Sequence, residues 1–394
     1  MIRLNLTNAQ DIKRIKNLLE EKRWINKSRK IENSNGVFHI YTTLASVPKE
    51  LSHLQWDYYE IDALAPQSIA EIRDKYCYEN NGPYFDVPKR WTVYPPMLLF
   101  SSNTNDSLPI DFCIYLLRNY QSIFGNKNIT HIALNRPIIE SDILRRPTSL
   151  IPVYGDFGPD VVADEPTERD FEDAFWCSAV QNGVYQTWAP KYTMFSRGNI
   201  KEKKRILDNY KRLEGTIVFD FYCGIGYFSL SYLQNGAKLL CWELNPWSIE
   251  GFRRSLDHAG YKYKIYNKGD TFSVGDITRY DACLFLESNE HAPTRLEHVS
   301  PTSLNISHIN LGLLPTSKPS WSIANNLVVE KSATPTLIHV HENVHVNAFS
   351  KMRDEIESSF EGGSVVHTEK VKTFAPDVWH AVFDVTIDKI NRAT

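Results

Sequence analysis

The chain has 394 residues, 42% of them hydrophobic and 23% charged; this is ordinary globular usage in a chain too long for one minimal core, so two or three packed units are expected. A formal net charge of -3 excludes bulk electrostatic attraction for nucleic acid, so any RNA site has to be a local patch. No apolar run reaches the roughly 18–20 residues of a membrane span, and six cysteines without a C-x-x-C pair speak against a zinc ribbon or redox pair and fit reduced thiols in a cytoplasmic protein.

The first segment, MIRLNLTNAQDIKRIKNLLEEKRW, lacks the apolar stretch of a signal peptide and carries Asp11, Glu20 and Glu21, so it reads as an amphipathic helix of the mature protein. Residues 1–145 continue as an α+β region in which runs such as VFHIYTTL and MLLF alternate with Asn-, Pro- and Ser-rich turns. Residues 146–199 hold the linker-like IPVYGDFGPDVVADEPTE and then WCSAVQNGVYQTWAPKYTM, where Asn182-Gly183 predicts a β-hairpin and Pro190 closes its second run. Basic groups stand at Lys13-Arg14-Lys16, Lys27-Arg29-Lys30, Arg145-Arg146 and Lys201-Lys203-Lys204-Arg205; phosphate contact and solvated helix faces explain each equally well.

Residues 200–394 alternate helix and strand. A basic helix, EKKRILDNYKRL, leads into the strand TIVFDFY, the helix FSLSYLQNG, the strand AKLLCWE and a helix from Ser248 to His258. ACLFLES, SHINLGLL and TLIHVHE follow as strands, and HTEKVKTF and WHAVFDVTI flank Pro376-Asp377 as a hairpin. The order predicts an α/β, Rossmann-like, mostly parallel sheet with an antiparallel edge hairpin and a ligand at the carboxyl ends of its strands.

Within VFDFYCGIGYF, the strand ends in Asp220 and Gly224-Ile225-Gly226 opens a helix. Glycines there allow close approach of backbone to ligand. The third glycine of a dinucleotide fingerprint is replaced by Ser229, which argues against a nicotinamide enzyme. About 20 residues on, the next strand ends in Glu243, placed to accept hydrogen bonds from both ribose hydroxyls of a nucleoside. The pair is similar to class I S-adenosylmethionine-dependent transferases.

MFSRGNIKEKKRI, DFYCGIGYF, ELNP, HINLGLLPTSKPSW, HVHENV and FAPDVWHAVFDV occur in that order, and together they resemble the tRNA wybutosine-synthesizing aminocarboxypropyltransferases of fungal type. The resemblance covers most of Leu150 to Ile387. It implies S-adenosylmethionine as cofactor, no metal and no membrane, with the anticodon loop of phenylalanine tRNA as partner. The implied reaction is transfer of a 3-amino-3-carboxypropyl group to the tricyclic 4-demethylwyosine base at position 37, releasing methylthioadenosine. Residues 1–145 would bind tRNA and 200–394 would bind the cofactor.

By the same resemblance Ser196, Lys203, Asp220, Tyr222, Gly224, Gly226, Glu243, Ser288 and Asn289 hold the cofactor, and Asn310 lies beside the reacting group. Arg197 stands where relatives carry an aromatic residue, and Glu287-Ser288-Asn289 stands where they carry Gly-Asp-Asn; Asp270 or Asp276 remains an alternative reader of the adenine. Sibling tRNA guanosine-37 N1-methyltransferases share the glycine turn and E-x-N-P but have Asn-Leu-Pro on the fourth strand. Here Asn310 is followed by Leu311-Gly312-Leu313-Leu314 before Pro315. A methyltransferase and a non-catalytic scaffold on the cofactor fold are the competing readings. His339 and His341 alternate on one strand with no third metal ligand at a suggestive spacing, so a packed, hydrogen-bonded pair is expected.

Overall fold

The structure is a computed structural model that describes residues 1–22, 24–26, 29–59, 68–101, 108–135, 150–161 and 165–388. Lys27, Arg145-Arg146 and residues 162–164 of the linker-like run lie outside them. There are two compact units, one spanning Met1–Glu79 and one beginning at Asn80.

In the first unit, the opening segment is not one helix. Ile2, Leu4 and Leu6 alternate with polar residues, a period of two that makes a strand, β1 (Ile2–Leu6). Only after Asn8, whose side chain accepts from Gln10 N, does α1 (Ala9–Glu21) begin. Strands β2 (Glu32–Ser34), β3 (Val37–Tyr41) and β4 (Gln55–Tyr58) complete a sheet ordered β2-β3-β1-β4, followed by α2 (Ile69–Glu79). Ile15 and Leu19 of α1 pack on Leu4, Leu6, Ile40 and Leu51.

The second unit starts with a small sheet ordered β5 (Arg90–Tyr94), β6 (Met97–Ser101), β7 (His131–Asn135), β8 (Ile151–Tyr154), with helices α3 (Ile110–Asn119) and α4 (Gln121–Phe124) before β7. After α5 (Glu168–Asp173) comes the expected hairpin, β9 (Cys177–Gln181) and β10 (Val184–Trp188). Its two-residue turn places both Asn182 (φ 52°) and Gly183 (φ 80°) in the left-handed region, which matches the twist of the flanking strands. Tyr94, Met97 and Ala133 of the small sheet share a buried cluster with Cys177 and Trp188 of the hairpin and with Ile225.

Helix α6 (Ile200–Asn209) introduces the large sheet. Its elements are β11 (Ile217–Asp220), α7 (Ser229–Gln234), β12 (Lys238–Glu243), α8 (Pro246–Ala259), β13 (Tyr263–Tyr266), α9 (Val274–Arg279), β14 (Ala282–Leu286), α10 (Ala292–Arg295), β15 (Ile306–Leu311), α11 (Trp321–Lys331), β16 (Thr336–His345), α12 (Phe349–Ser359), β17 (Gly363–Ala375) and β18 (Val378–Ile387). The order is β13-β14-β12-β11-β15-β16-β18-β17, parallel from β13 to β16 and antiparallel in the final hairpin. Chain direction across the sheet reverses beside β11, which makes its carboxyl end the switch point where such sheets bind ligands. Among the described residues no helix is long and apolar enough to cross a membrane.

Gly251, on α8, lies against the hairpin. A Cβ there would sit 2.7 Å from the Thr187 carbonyl oxygen and 3.2 Å from Ile225 Cγ2. Gly251→Ala is therefore expected to destabilise the protein by about 1–3 kcal/mol through overpacking, although alanine is the better helix former. A urea midpoint that stays put or rises in the variant would contradict this packing.

Candidate active site

The site is organised from the tip of β11. Asp220 is fully buried, and its carboxylate accepts from Ser229 Oγ at 2.6 Å, Asn310 Nδ2 at 3.0 Å and Tyr222 N at 3.4 Å. Burial raises its pKa while the bonds from Ser229 and Asn310 oppose the rise. The chain then turns through Gly224 (φ 53°) and Gly226 (φ 79°). Side chains at these angles are disfavoured, and a Cβ would meet the Tyr227 ring at 2.5 Å or the Phe252 ring at 2.6 Å.

A second carboxylate closes the turn. Glu243 Oε2 accepts from Gly224 N at 2.9 Å and its Oε1 from Asn245 N at 2.8 Å. Burial pushes its pKa up against these two bonds. The neighbouring strand is β14, with Leu286 paired to Glu243. Ser288 and Asn289 therefore leave the sheet beside Glu243, and Asn289 Nδ2 donates to Phe221 O at 3.0 Å. Ser288 Oγ accepts from Glu290 N at 3.3 Å. Asp276 is turned to Lys264 and Tyr266 near the sheet edge, at 2.9 and 2.6 Å. Asp270 lines a cavity of about 330 Å³ with Glu287, His291 and Arg295. The geometry thus groups Asn289, and not Asp276, with the glycine turn.

The stretch before α6 reaches the same place from the other side. Phe195 stacks on Trp188, with centroids 4.3 Å apart, and meets Tyr94 edge-on; the aromatic residue precedes Ser196 rather than following it. The Tyr227 hydroxyl donates to Met194 O, which ties this stretch to the glycine turn. Lys203 is buried. Its ammonium donates to Gln181 Oε1 at 3.0 Å and Gln186 Oε1 at 2.5 Å, over the rings of Phe195 and Tyr227. Gln186 Nε2 donates onward to Gly226 O at 3.0 Å. Gln181 and Gln186 carry no motif, and no signal in the sequence marks them; only the hairpin pairing brings both to Lys203. Tyr222 is half-buried and joins the site through its main chain.

Asn310 is fully buried beside Asp220, with its Oδ1 unpartnered among the described residues. Gly312 follows it closely, since a Cβ there would lie 3.0 Å from Asn310 Nδ2. Further along the sheet, His339 and His341 do not bond each other. Residues two apart on a strand lie farther from one another than cross-strand neighbours, and each histidine finds one of those. His339 Nδ1 meets Asp384 Oδ1 at 2.6 Å and its Nε2 meets His308 Nδ1 at 3.0 Å. His341 Nδ1 meets His380 Nε2 at 3.0 Å. Arg205 clasps Asp384 and Glu202. Burial would raise the Asp384 carboxyl, but His339 and Arg205 hold it well below the usual range.

No family model matches the chain. Its sequence is similar to tRNA wybutosine-synthesizing protein 2 of Schizosaccharomyces pombe, 40% identical over 313 residues that cover 76% of this chain and 73% of that protein. The protein of the same name in Saccharomyces cerevisiae is 36% identical over 364 residues, covering 76% and 74%. Among solved structures, Pyrococcus horikoshii TYW2 in complex with MeSAdo aligns with TM-score 0.52 at 18% identity, over 82% of this chain and 100% of that one. The aTrm5 chain in complex with tRNALeu aligns with TM-score 0.54 at 13% identity, over 98% and 100%. At these identities the structural likeness shows the fold.

The setting of Lys203 has a pH signature. Burial lowers its pKa from 10.5 to about 7, so between those values the unfolded chain binds more protons than the folded one and stability rises with pH. Relative to Lys203→Met, the wild-type protein without ligand is expected to gain stability from about pH 7 to about pH 9. Urea unfolding of both proteins at the two pH values measures this; equal responses would mean that the folded ammonium is fully compensated.

Proposed function

The chain belongs to the tRNA wybutosine-synthesizing protein 2 family, and on that premise we propose how it carries out the aminocarboxypropyltransferase step of wybutosine synthesis on phenylalanine tRNA. The observation that carries the reading is the convergence of the glycine turn, Glu243 and Ser288-Asn289 at the ends of β11, β12 and β14. That arrangement suits a nucleoside whose ribose faces a carboxylate and whose base faces an amide. S-adenosylmethionine fits it: Glu243 offers a carboxylate to two hydroxyls, and Lys203 is a buried cation with one of its three N–H donors left over from Gln181 and Gln186.

Bound there, S-adenosylmethionine would supply an activated sulfonium leaving group: transfer would form a bond from a carbon of the tricyclic base to the γ-carbon of the methionine chain, break the bond between that γ-carbon and sulfur, release methylthioadenosine, and give up the proton displaced from the base carbon to solvent. Three carbons flank that sulfur, so the residues must choose among them by orientation. Lys203 and Ser196 hold the methionyl end, Gly224 and Gly226 let the backbone lie against it, and Tyr222 lines the approach. Asp220 fixes the turn through Ser229 and Tyr222 N, and also holds Asn310, whose Oδ1, unpartnered among the described residues, is an acceptor available to the reacting group. Residues 1–145 deliver the anticodon loop, 146–199 form the wall at Ser196, and 200–394 bind the cofactor. We place the reaction in the cytoplasm, in keeping with six cysteines that form no C-x-x-C pair.

Purified protein given S-adenosylmethionine and phenylalanine tRNA from a strain lacking this activity is expected to add the mass of an aminocarboxypropyl group, read by nucleoside mass spectrometry. Gain of a methyl group instead would assign it to guanosine methylation. Glu243→Ala is expected to weaken cofactor binding by on the order of 1.5–3 kcal/mol for each hydrogen bond to the charged group that it removes, with tRNA affinity unchanged; equal cofactor affinity would displace Glu243 from the ribose. Replacing Lys27-Arg29-Lys30 or Arg145-Arg146 by alanine is expected to flatten the salt dependence of tRNA binding, by roughly 0.7–0.9 in log-log slope for each phosphate left without its cation. An unchanged slope in both variants would move RNA binding to the transferase domain.

A further inference from the structure

Lys372, on β17, is the cation that the family motifs do not single out. It pairs in register with His380, which itself faces Asn343 near the carboxyl end of β16, so Lys372 stands at the end of the sheet that carries Asp220 and Glu243. Its ammonium lies 3.4 Å from Ser196 Oγ. No acidic partner for it is found among the described residues, whereas its neighbours Lys201 and Arg205 hold Glu369 and Asp384. Its aliphatic stem crosses Gly198 so closely that a Cβ there would sit 2.6 Å from Lys372 Cδ and 2.9 Å from Nζ. Gly198 is not in the left-handed region, so the space is what the glycine supplies. The lysine is half-buried, and burial lowers its pKa.

A half-buried ammonium has three donors to satisfy, and among the described residues Lys372 has only one long contact, to a neutral hydroxyl. Lys203 differs: two of its donors already serve amide oxygens at 3.0 and 2.5 Å. Arg197 also differs, since it is exposed beside the same stretch and is free to follow a phosphate backbone in solvent. From this geometry we propose that Lys372, together with Ser196, binds the carboxylate of the methionyl chain of S-adenosylmethionine. This rests on the cofactor reading above and names the second cation of that site. A carboxylate held at Ser196 draws the aminocarboxypropyl arm to a fixed anchor away from the adenosine, which leaves the γ-carbon rather than the methyl group presented to the base. Lys372 is thus a specificity residue, acting on which carbon is offered.

The test compares two ligands that differ by that arm. Calorimetry with S-adenosylmethionine and with 5′-methylthioadenosine, which has the adenosine and sulfur but no carboxylate, is run on wild-type protein and on Lys372→Met. The expected result is a loss of about tenfold or more for S-adenosylmethionine, the scale of a hydrogen bond to a charged group, with methylthioadenosine binding unchanged and thereby reporting an intact fold and adenosine pocket. Equal losses for both ligands, or none for either, would overturn the inference while leaving the cofactor reading in place. A loss confined to tRNA affinity, with a flatter salt slope, would also overturn it and turn Lys372 toward a phosphodiester. Wild-type protein that binds neither ligand would overturn the cofactor reading, and this inference with it.

Discussion

A buried carboxylate has to be met by donors, and the donors that meet Asp220 come from three different elements: the hydroxyl of α7, the amide side chain of β15 and the main chain of the glycine turn. That requirement holds the end of β11, the start of α7 and the end of β15 in one arrangement. Glu243 repeats the device one strand over, bonding Gly224 N and Asn245 N at the start of α8. The glycine turn is therefore not a loose loop that closes on a ligand. It is pinned from two sides by acids, and preorganisation of this kind reduces the ordering that binding would otherwise require.

The other polar layer lies under the edge hairpin. Arg205 of α6 reaches Asp384 of β18, and Asp384 in turn orients His339 and, through it, His308. Isolated, each of these charges would be costly to bury; together they satisfy one another. The consequence for the site is positional. The network fixes α6 against the last strands, and α6 carries Lys203 to the amides of the β9–β10 hairpin while β17 carries Lys372 to Ser196. The surroundings of Lys203 and Ser196 are thus assembled from elements far apart in the second unit's sequence, joined by a buried ionic contact rather than by chain proximity.

Local chemistry is legible wherever a residue type has a narrow set of uses. Asn182-Gly183 means a hairpin because both positions need positive φ, and the run from Val218 to Phe228 means strand, turn and helix because apolar residues, an acid and two glycines follow in the order such a turn demands. The edge pair around Pro376-Asp377 is legible for a similar reason, since proline cannot continue a ladder. Short alternating segments are not. Ile2–Leu6 precedes a strong amphipathic helix and reads as part of it, and Tyr263–Tyr266, at the sheet edge, lacks the continuous apolar run of a strand buried on both faces.

By itself, then, the sequence determined the cofactor-fold architecture, the two acidic strand tips and the likeness to the aminocarboxypropyl branch, because each depends on residues near one another in the chain or on ordered motifs. Only the tertiary structure decided what those residues face. It joined Lys203 to Gln181 and Gln186, placed Lys372 against Ser196, seated Ile225 among Tyr94, Met97 and Ala133 of the small sheet, and set Asn289 rather than Asp276 beside Glu243. The physical reason is that a pattern of residue types constrains which face of an element is apolar and where it ends, whereas the partner of a buried cation or amide is chosen by sheet order and register, and those are settled by packing over the whole unit.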